Sequence, residues 1–417
     1  MAEPKVRFRR QDGSNYPEWE IIPFSQLSVP SGVKNKNNAD LESYSISNEK
    51  GFVPQSEQFE DAGYLNNADR SLYYIVSPGS FAYNPARINI GSIGYQDVGK
   101  DVLVSSLYEI FNTTDELDDS FLMNWFRTEQ FQKSVRTLSE GGVRQYFYYD
   151  KLCLVKFPLP CMEEQQKIAD FLVSVGEVIA TSEQEVANLE MQKKAVMKKI
   201  FLQEVRFKRK DGTDFPEWEE VRFEDVFDVI TDYVAAGSFA DIAKNVQYLD
   251  KPDYAQLIRT VDVKNRFRNK GFVYVDKRAF DYLYRVELDK EPHIVLPNIG
   301  ANIGEFYLIE PCNLPYKRNV LGPNAIMLGT SRNIYFWVQY LGSVSFQKNL
   351  ALIVSSTGQP KFNKTDLRKL EMNSPCEEEQ HLIADFLSNF DEAIAAAKKE
   401  LELWKELKRG LLQQMFV

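Results

Sequence analysis

The segment VRFRRQDGSNYPEWE, Val6 to Glu20, returns as VRFKRKDGTDFPEWE, Val205 to Glu219, so whatever this chain folds into must be built twice. A second block repeats with unchanged internal spacing. Pro160, Cys161, Glu163, Glu164, Gln165, Ile168, Ala169, Asp170, Phe171 and Leu172 return as Pro375, Cys376, Glu378, Glu379, Gln380, Ile383, Ala384, Asp385, Phe386 and Leu387. Each half therefore reads as an entry segment, a variable globular region, a PC-x-EEQ junction and a helix. The first helix runs through Phe201 into the second entry segment, and the second stops at Phe416 and Val417, which predicts a pseudo-cyclic pair. Repeats of this size are whole-domain duplications rather than solenoid units.

After each junction the apolar residues keep a three-to-four spacing, one stripe on a helix. The first stripe includes Ile168, Phe171, Leu172, Val175, Ile179 and Leu189, and the second Ile383, Phe386, Leu387, Phe390, Leu401 and Trp404. Acidic residues crowd each start and basic residues each end, as the helix dipole favours. At about 1.5 Å per residue each helix is roughly 55 to 60 Å long, too long for one compact domain to cover so narrow a stripe. The partner expected for each is the other copy, antiparallel; the competing arrangement packs each helix on its own domain. The expected fold is α+β (mixed α/β), two globular domains separated by two antiparallel helices in a pseudo-twofold coiled-coil spacer. Its parts are a first domain with its entry segment (1–158), a first helix (159–203), a second domain (204–373) and a second helix (374–417).

The composition is that of a globular protein, 44% hydrophobic and 26% charged. No stretch suits a signal peptide or membrane span, so a cytoplasmic protein without membrane partners is expected. Cys153, Cys161, Cys312 and Cys376 are widely spaced, with only His293 and His381 beside them, which is no zinc pattern. No metal is expected. The net charge of −10 argues against simple non-specific nucleic-acid binding, but its distribution is uneven. From Glu20 to Asp150 there are 10 basic against 18 acidic residues, and from Val221 to Asp366, 18 against 16. The densest positive cluster is Lys264, Arg266, Arg268 and Lys270, which suits either a solvated hairpin or a nucleic-acid contact.

Two turns stand out in the variable regions: PGSFAYNPARINIGSIGY, Pro78 to Tyr95, and HIVLPNIGANIGEFYLI, His293 to Ile309. In each, Gly and Asn lie between strand-like runs, so the turn is either a plain hairpin or a loop presenting polar groups. Chemistry of the chain's own finds little support. Asn84-Pro85-Ala86-Arg87 lacks the second proline and the aromatic residue of an adenine methyltransferase motif, and Asp253 with Asp262-Val263-Lys264 is too closely spaced for a metal-dependent nuclease and has no copy in the first half.

With repeats, helices and variable regions assembled, the chain resembles the specificity subunit of a type I restriction-modification system over essentially its full length. The resemblance rests on Tyr16-Pro17-Glu18-Trp19 and Phe215-Pro216-Glu217-Trp218, the two EEQ junctions, the paired helices, LIRTVDVKN (Leu257 to Asn265) and the SFAYNPARINIGSIG loop. It implies a non-catalytic, DNA-binding protein whose two recognition domains read the halves of a split, asymmetric target on double-stranded DNA, with the helices as a ruler. It further implies two adenine methyltransferase subunits as partners and a restriction/translocase subunit joining through the complex. S-adenosylmethionine, ATP and Mg²⁺ would belong to those partners and not to this chain. Candidate DNA contacts are Tyr83, Asn84, Arg87 and Asn89 in the first domain and Arg259, Lys264, Arg266, Arg268, Asn298 and Asn302 in the second. Arg144, Gln145 and Tyr148 either face DNA or close the first domain. The competing function is a coiled-coil scaffold joining protein partners without DNA recognition.

Overall fold

The computed structural model describes residues 4–48, 50–58, 70–141, 145–355 and 358–416. It divides into two compact units, one of Met1–Gln184 with Lys398–Val417 and the other of Glu185–Ala397. Both unit boundaries fall inside the long helices, Met162–Phe201 and Glu377–Met415.

The units share one topology. In the first, a four-stranded antiparallel sheet runs Ser28–Pro30, Glu109–Thr113, Phe81–Tyr83, Ile93–Tyr95 in spatial order. In the second the order is Val229–Asp232, Ala325–Gly329, His293–Pro297, Tyr307–Ile309. A two-stranded ribbon precedes each helix and brings the entry segment beside the junction: Glu20–Pro23 pairs with Lys156–Leu159, and Glu219–Arg222 with Glu371–Ser374. The smaller sheets diverge. The first unit has a three-stranded antiparallel sheet and a separate hairpin, Tyr44–Ser47 with Gly51–Pro54, whereas the second contains a parallel pair, Ala255–Ile258 with Asn319–Leu321.

The repeat blocks meet in a buried clamp. Glu164, with no exposed side-chain surface, accepts from Arg7 Nη2 at 2.8 Å and from the Trp19 indole N–H at 3.0 Å. Glu379, equally buried, accepts from Arg206 Nη2 at 2.8 Å and the Trp218 indole at 3.1 Å. A buried carboxylate needs such donors, because desolvation without them costs several kcal/mol. Cys161 and Cys376 stand just before the helices, where their carbonyls accept the N–H groups of Gln165 and Gln380. They are free thiols at a helix start.

Each helix begins against one domain and ends in the other unit's core. Ile168 and Leu172 share a cluster with Leu412, Met415 and Phe416, while Ile383 and Leu387 share one with Ile200 and Phe201. Phe416 lies against Phe121 at 5.0 Å, and Phe201 against Phe336 at 6.0 Å. The Val6 N–H donates to the Gln414 carbonyl as the Val205 N–H does to Lys199, so the junction that is continuous in the second unit is closed by a hydrogen bond in the first.

Within each unit the helices pair antiparallel, as expected. Lys405 meets Glu183 at 2.7 Å in the first unit, and Lys193 meets Asp391 at 2.6 Å in the second. The stripe does more than line the helix pair. Ile168, Leu172, Ile383 and Leu387 enter the domain cores, and Phe171 and Phe386 pack edge-on against Phe8 and Phe207 of the entry segments. Val175 is buried, and Ile179, Leu189, Phe390, Leu401 and Trp404 are partly buried along the midsections. The alternative of each helix on its own domain therefore describes the helix starts. Among the described residues no helix is long and apolar enough to cross a membrane.

Replacing Glu379 by Ala removes one member of a buried pair and leaves Arg206 and Trp218 without their acceptor, so the full chain should lose about 3–5 kcal/mol. Urea denaturation followed by Trp fluorescence reads this. A permuted chain in which a short linker joins Phe416 to Val6 and the new ends fall between Gln203 and Glu204 should keep the parent's circular dichroism spectrum and melting temperature within a few degrees.

Candidate nucleic-acid interface

The two turns noted in the sequence are the same connection of the same sheet, the loop between its third and fourth strands in each unit. Both are crossed by the segment leading into the junction. The Phe147 N–H donates to the Pro85 carbonyl at 3.0 Å, and the Phe362 N–H to the Asn298 carbonyl at 3.1 Å.

In the first unit the candidates separate by environment. Tyr83 is not a reading group: its side chain is buried in the sheet, its hydroxyl has no partner, and burial pushes it well above the usual phenol range. Strand alternation does not expose it, because both faces of this sheet are covered. Asn84 Oδ1 accepts the Ala86 N–H at 3.0 Å and so shapes the turn. Arg87 and Asn89 are exposed around the short 3₁₀ turn Ile88–Ile90, which Gly91 ends with φ of 88°. Gln145 is exposed two residues before Phe147, and Arg144 lies outside the described residues. The sequence reading missed Tyr146, which stacks flat on the exposed Tyr148 at 5.7 Å; the Tyr-x-Tyr spacing was its signal.

In the second unit two separate sequence motifs come together. Lys264 Nζ reaches Asn302 Oδ1 at 2.8 Å and Glu305 at 2.7 Å, joining LIRTVDVKN to the hairpin loop. Asn298 Nδ2 donates to the Phe362 carbonyl at 3.3 Å, a second tie between the loop and the segment that crosses it. Arg259 is committed as well, donating to Asp262 at 2.7 Å and to the Gly271 carbonyl at 2.9 Å.

Asp262 organises this corner. Burial alone would push its carboxyl up, but hydrogen bonds from the Arg259 side chain and backbone and from Asn269 outweigh burial and hold it below the usual range. Arg266 and Phe267 follow with φ of 50° and 56°, a left-handed pair that non-glycine residues adopt at a cost. The Phe267 N–H donates to the Asp262 carbonyl at 2.8 Å, which pins the strained pair. Arg266, Arg268 and Lys270 are the exposed cations presented by it. This arrangement also answers the carboxylate reading. Asp262 is taken by Arg259, while Asp253 is occupied with the Tyr254 N–H. Among the described residues no group of three His, Cys, Asp or Glu side chains gathers as metal ligands.

What this geometry offers is recognition: two related hairpin loops, each beside exposed cations and amides held by a rigid frame. Arg87, Arg266 and Arg268 have the forked donors that bridge guanine or grip phosphate.

Replacing Asp262 by Ala should lower the second unit's stability by roughly 2–4 kcal/mol, through loss of a buried, multiply bonded acceptor. Because the folded-state pKa is depressed, the carboxylate's contribution is complete above the unfolded-state value near 4 and is lost as pH falls through the folded one. Thermal melts between pH 7 and pH 3 should therefore show the parent and the variant converging in acid.

The model of the family described as type I restriction modification DNA specificity domain matches residues 73–191 and 216–403. Two curated relatives from Methanocaldococcus jannaschii are similar over 97% of this chain and 94% of their own: the type I restriction enzyme MjaVIII specificity subunit, 26% identical, and the putative type I restriction enzyme MjaX specificity subunit, 22% identical. Among solved structures, the type I restriction-modification S subunit from M. genitalium is 15% identical, with a TM-score of 0.55 over 100% of this chain and 99% of that one. A chain from a type I system studied for complex assembly and conformational transition is 14% identical, with a TM-score of 0.57 over 95% of this chain and 97% of that one. At these identities the two structures speak to the fold alone. With the family model matched over most of its length and in both halves, the chain belongs to the type I restriction-modification DNA specificity family.

Proposed function

We propose that this chain reads a bipartite DNA target for a type I restriction-modification complex, one half-site per domain. The observation that carries this reading is the recurrence of one hairpin loop on one sheet topology in both units, with different side chains at the tip of each. A duplicated scaffold with divergent loops suits two different half-sites, since loops carry specificity on a fixed frame. Arg87 in the first domain and Arg266 and Arg268 in the second are the leading base contacts, and Asn89 and Gln145 supply amides that suit adenine. Lys270 is a phosphate contact, which positions without specifying.

Catalysis in this reading belongs to partners. Two adenine methyltransferase subunits dock on the helices and adjoining faces, a restriction/translocase subunit joins through the complex, and S-adenosylmethionine, ATP and Mg²⁺ are held by those subunits in the cytoplasm. A target adenine must leave the base stack to be methylated, which a separate pocket in a partner accomplishes. The acidic balance of this chain, −10 overall, fits a protein that shares its phosphate clamp with others. The length of the helices would set the number of unread base pairs between half-sites.

Sequencing methylated adenines in cells carrying this chain with its methyltransferase tests the reading. A split motif with two defined halves is expected. Arg87→Ala should relax or change one half only, at a cost of about 1–3 kcal/mol of discrimination. Methylation without a split motif, or an unchanged pattern when both hairpin tips are replaced, would leave the scaffold alternative.

A further inference from the structure

The two units build the same helix corner with different charges. In the second, Lys193 pairs with Asp391 at 2.6 Å, and Gln339 Nε2 donates to the other carboxylate oxygen at 2.7 Å. Nearby stands Gly342, where a Cβ would meet Phe306 Cζ at 3.0 Å and Met197 Cε at 3.3 Å. The offset that relates Glu379 to Glu164 and Phe336 to Phe121 carries Lys193, Asp391, Gln339 and Gly342 onto Lys408, Gly176, Asn124 and Arg127. The first unit thus keeps the lysine, loses its carboxylate and gains a second cation. The Lys408 ammonium lies 2.9 Å from where a Gly176 Cβ would be, over the position from which Asp391 serves the other copy.

Arg127 and Lys408 line one cavity of about 620 Å³, together with Asn48, Asn89, Asp97 and Asp119. Arg127 is open to solvent and Lys408 partly so, yet both are crowded enough to be pushed below their ordinary values, Lys408 by burial first and then by the charge of Arg127. The Asp119 carboxylate is occupied by Thr113 Oγ1 at 2.6 Å and by Tyr95, and burial raises it. Among the described residues neither cation has a carboxylate partner.

We propose that Arg127 and Lys408 form a phosphate-binding site present in the first half only. A carboxylate already suffices for the single lysine in the second unit. A lysine beside a forked guanidinium, in a cavity with amide side chains, suits an anion with more oxygens to share. Asn89 connects the cavity to the hairpin that carries Arg87, so a DNA backbone phosphate is the expected source; that part rests on the function proposed above. The two halves would then hold DNA unequally, with an additional sequence-independent grip beside the first half-site.

The second unit supplies the test variants. Arg127→Gly and Gly176→Asp each copy its residue, and the double variant rebuilds its neutral corner. DNA affinity of the assembled complex is measured against salt, on duplexes with and without the target, alongside ³¹P line broadening of inorganic phosphate by the full chain. The double variant should bind both duplexes about tenfold more weakly, with a salt slope lower by about one and an unchanged methylated sequence. Arg127→Gly alone should move the same way by less, which protects the result against misfolding of the double variant. Loss of inorganic phosphate binding with an unchanged DNA slope supports the site and assigns it to a free phosphate compound. Unchanged DNA slope and unchanged phosphate binding overturn the proposal, and so does weakened methyltransferase association alone, which would assign the cations to a partner carboxylate. If the parent complex selects no split target, the reading of function fails while the phosphate titration still judges the site.

Discussion

Glu164 and Glu379 are the groups around which the rest is arranged. Each is a carboxylate without exposed side-chain surface at the start of a long helix, and each is satisfied by an arginine and a tryptophan from an entry segment far away in sequence. Burying a charge is tolerable only when its donors arrive with good geometry. That requirement explains why the VRF and PEW elements recur together with the EEQ junction. The sequence between them is free to vary as long as it returns the chain to the same place, which the two-stranded ribbons accomplish.

The clamp also explains how one frame carries two different surfaces. The four-stranded sheets keep the same order, while the smaller sheets differ even in strand direction. Near the clamp the copies share the same bonds, as Gln165 and Gln380 both donate to the carbonyl of the proline five residues before, at 2.9 and 3.0 Å. Away from it they diverge in charge: the Lys193–Asp391 pair has no counterpart at Lys408 and Gly176.

The fold was legible because its signals are periodic or repeated. Two stripes, two junctions and two entry segments are enough to specify antiparallel helices and a duplicated domain. The site was legible only in outline. Sequence pattern located both hairpins, but it could not tell that Tyr83 sits in a sheet covered on both faces, since local alternation carries no information on what lies above a strand. Nor could it tell that Arg259 is neutralised by Asp262, or Lys264 by Glu305, because the second pairing joins residues 41 positions apart. Arg127 escaped notice for the opposite reason. Nothing local marks it, and only comparison with Gly342 at the matching position reveals it as an added charge.

Separating committed cations from available ones changes where specificity would reside. In the second domain the basic cluster reads as one patch, yet Arg259 and Lys264 are structural ties, and Arg266 and Arg268 are what those ties present. The left-handed conformations of Arg266 and Phe267 would relax in a slack loop, but the Asp262 network on one side and the Lys264 bridge to the hairpin on the other hold them. A guanidinium on a held backbone loses less freedom on meeting a base edge than one on a mobile loop. If the proposed arginine contacts are made, discrimination per contact would then depend on Asp262, a residue tied to Arg259 and Asn269 and not to DNA, as much as on the arginines.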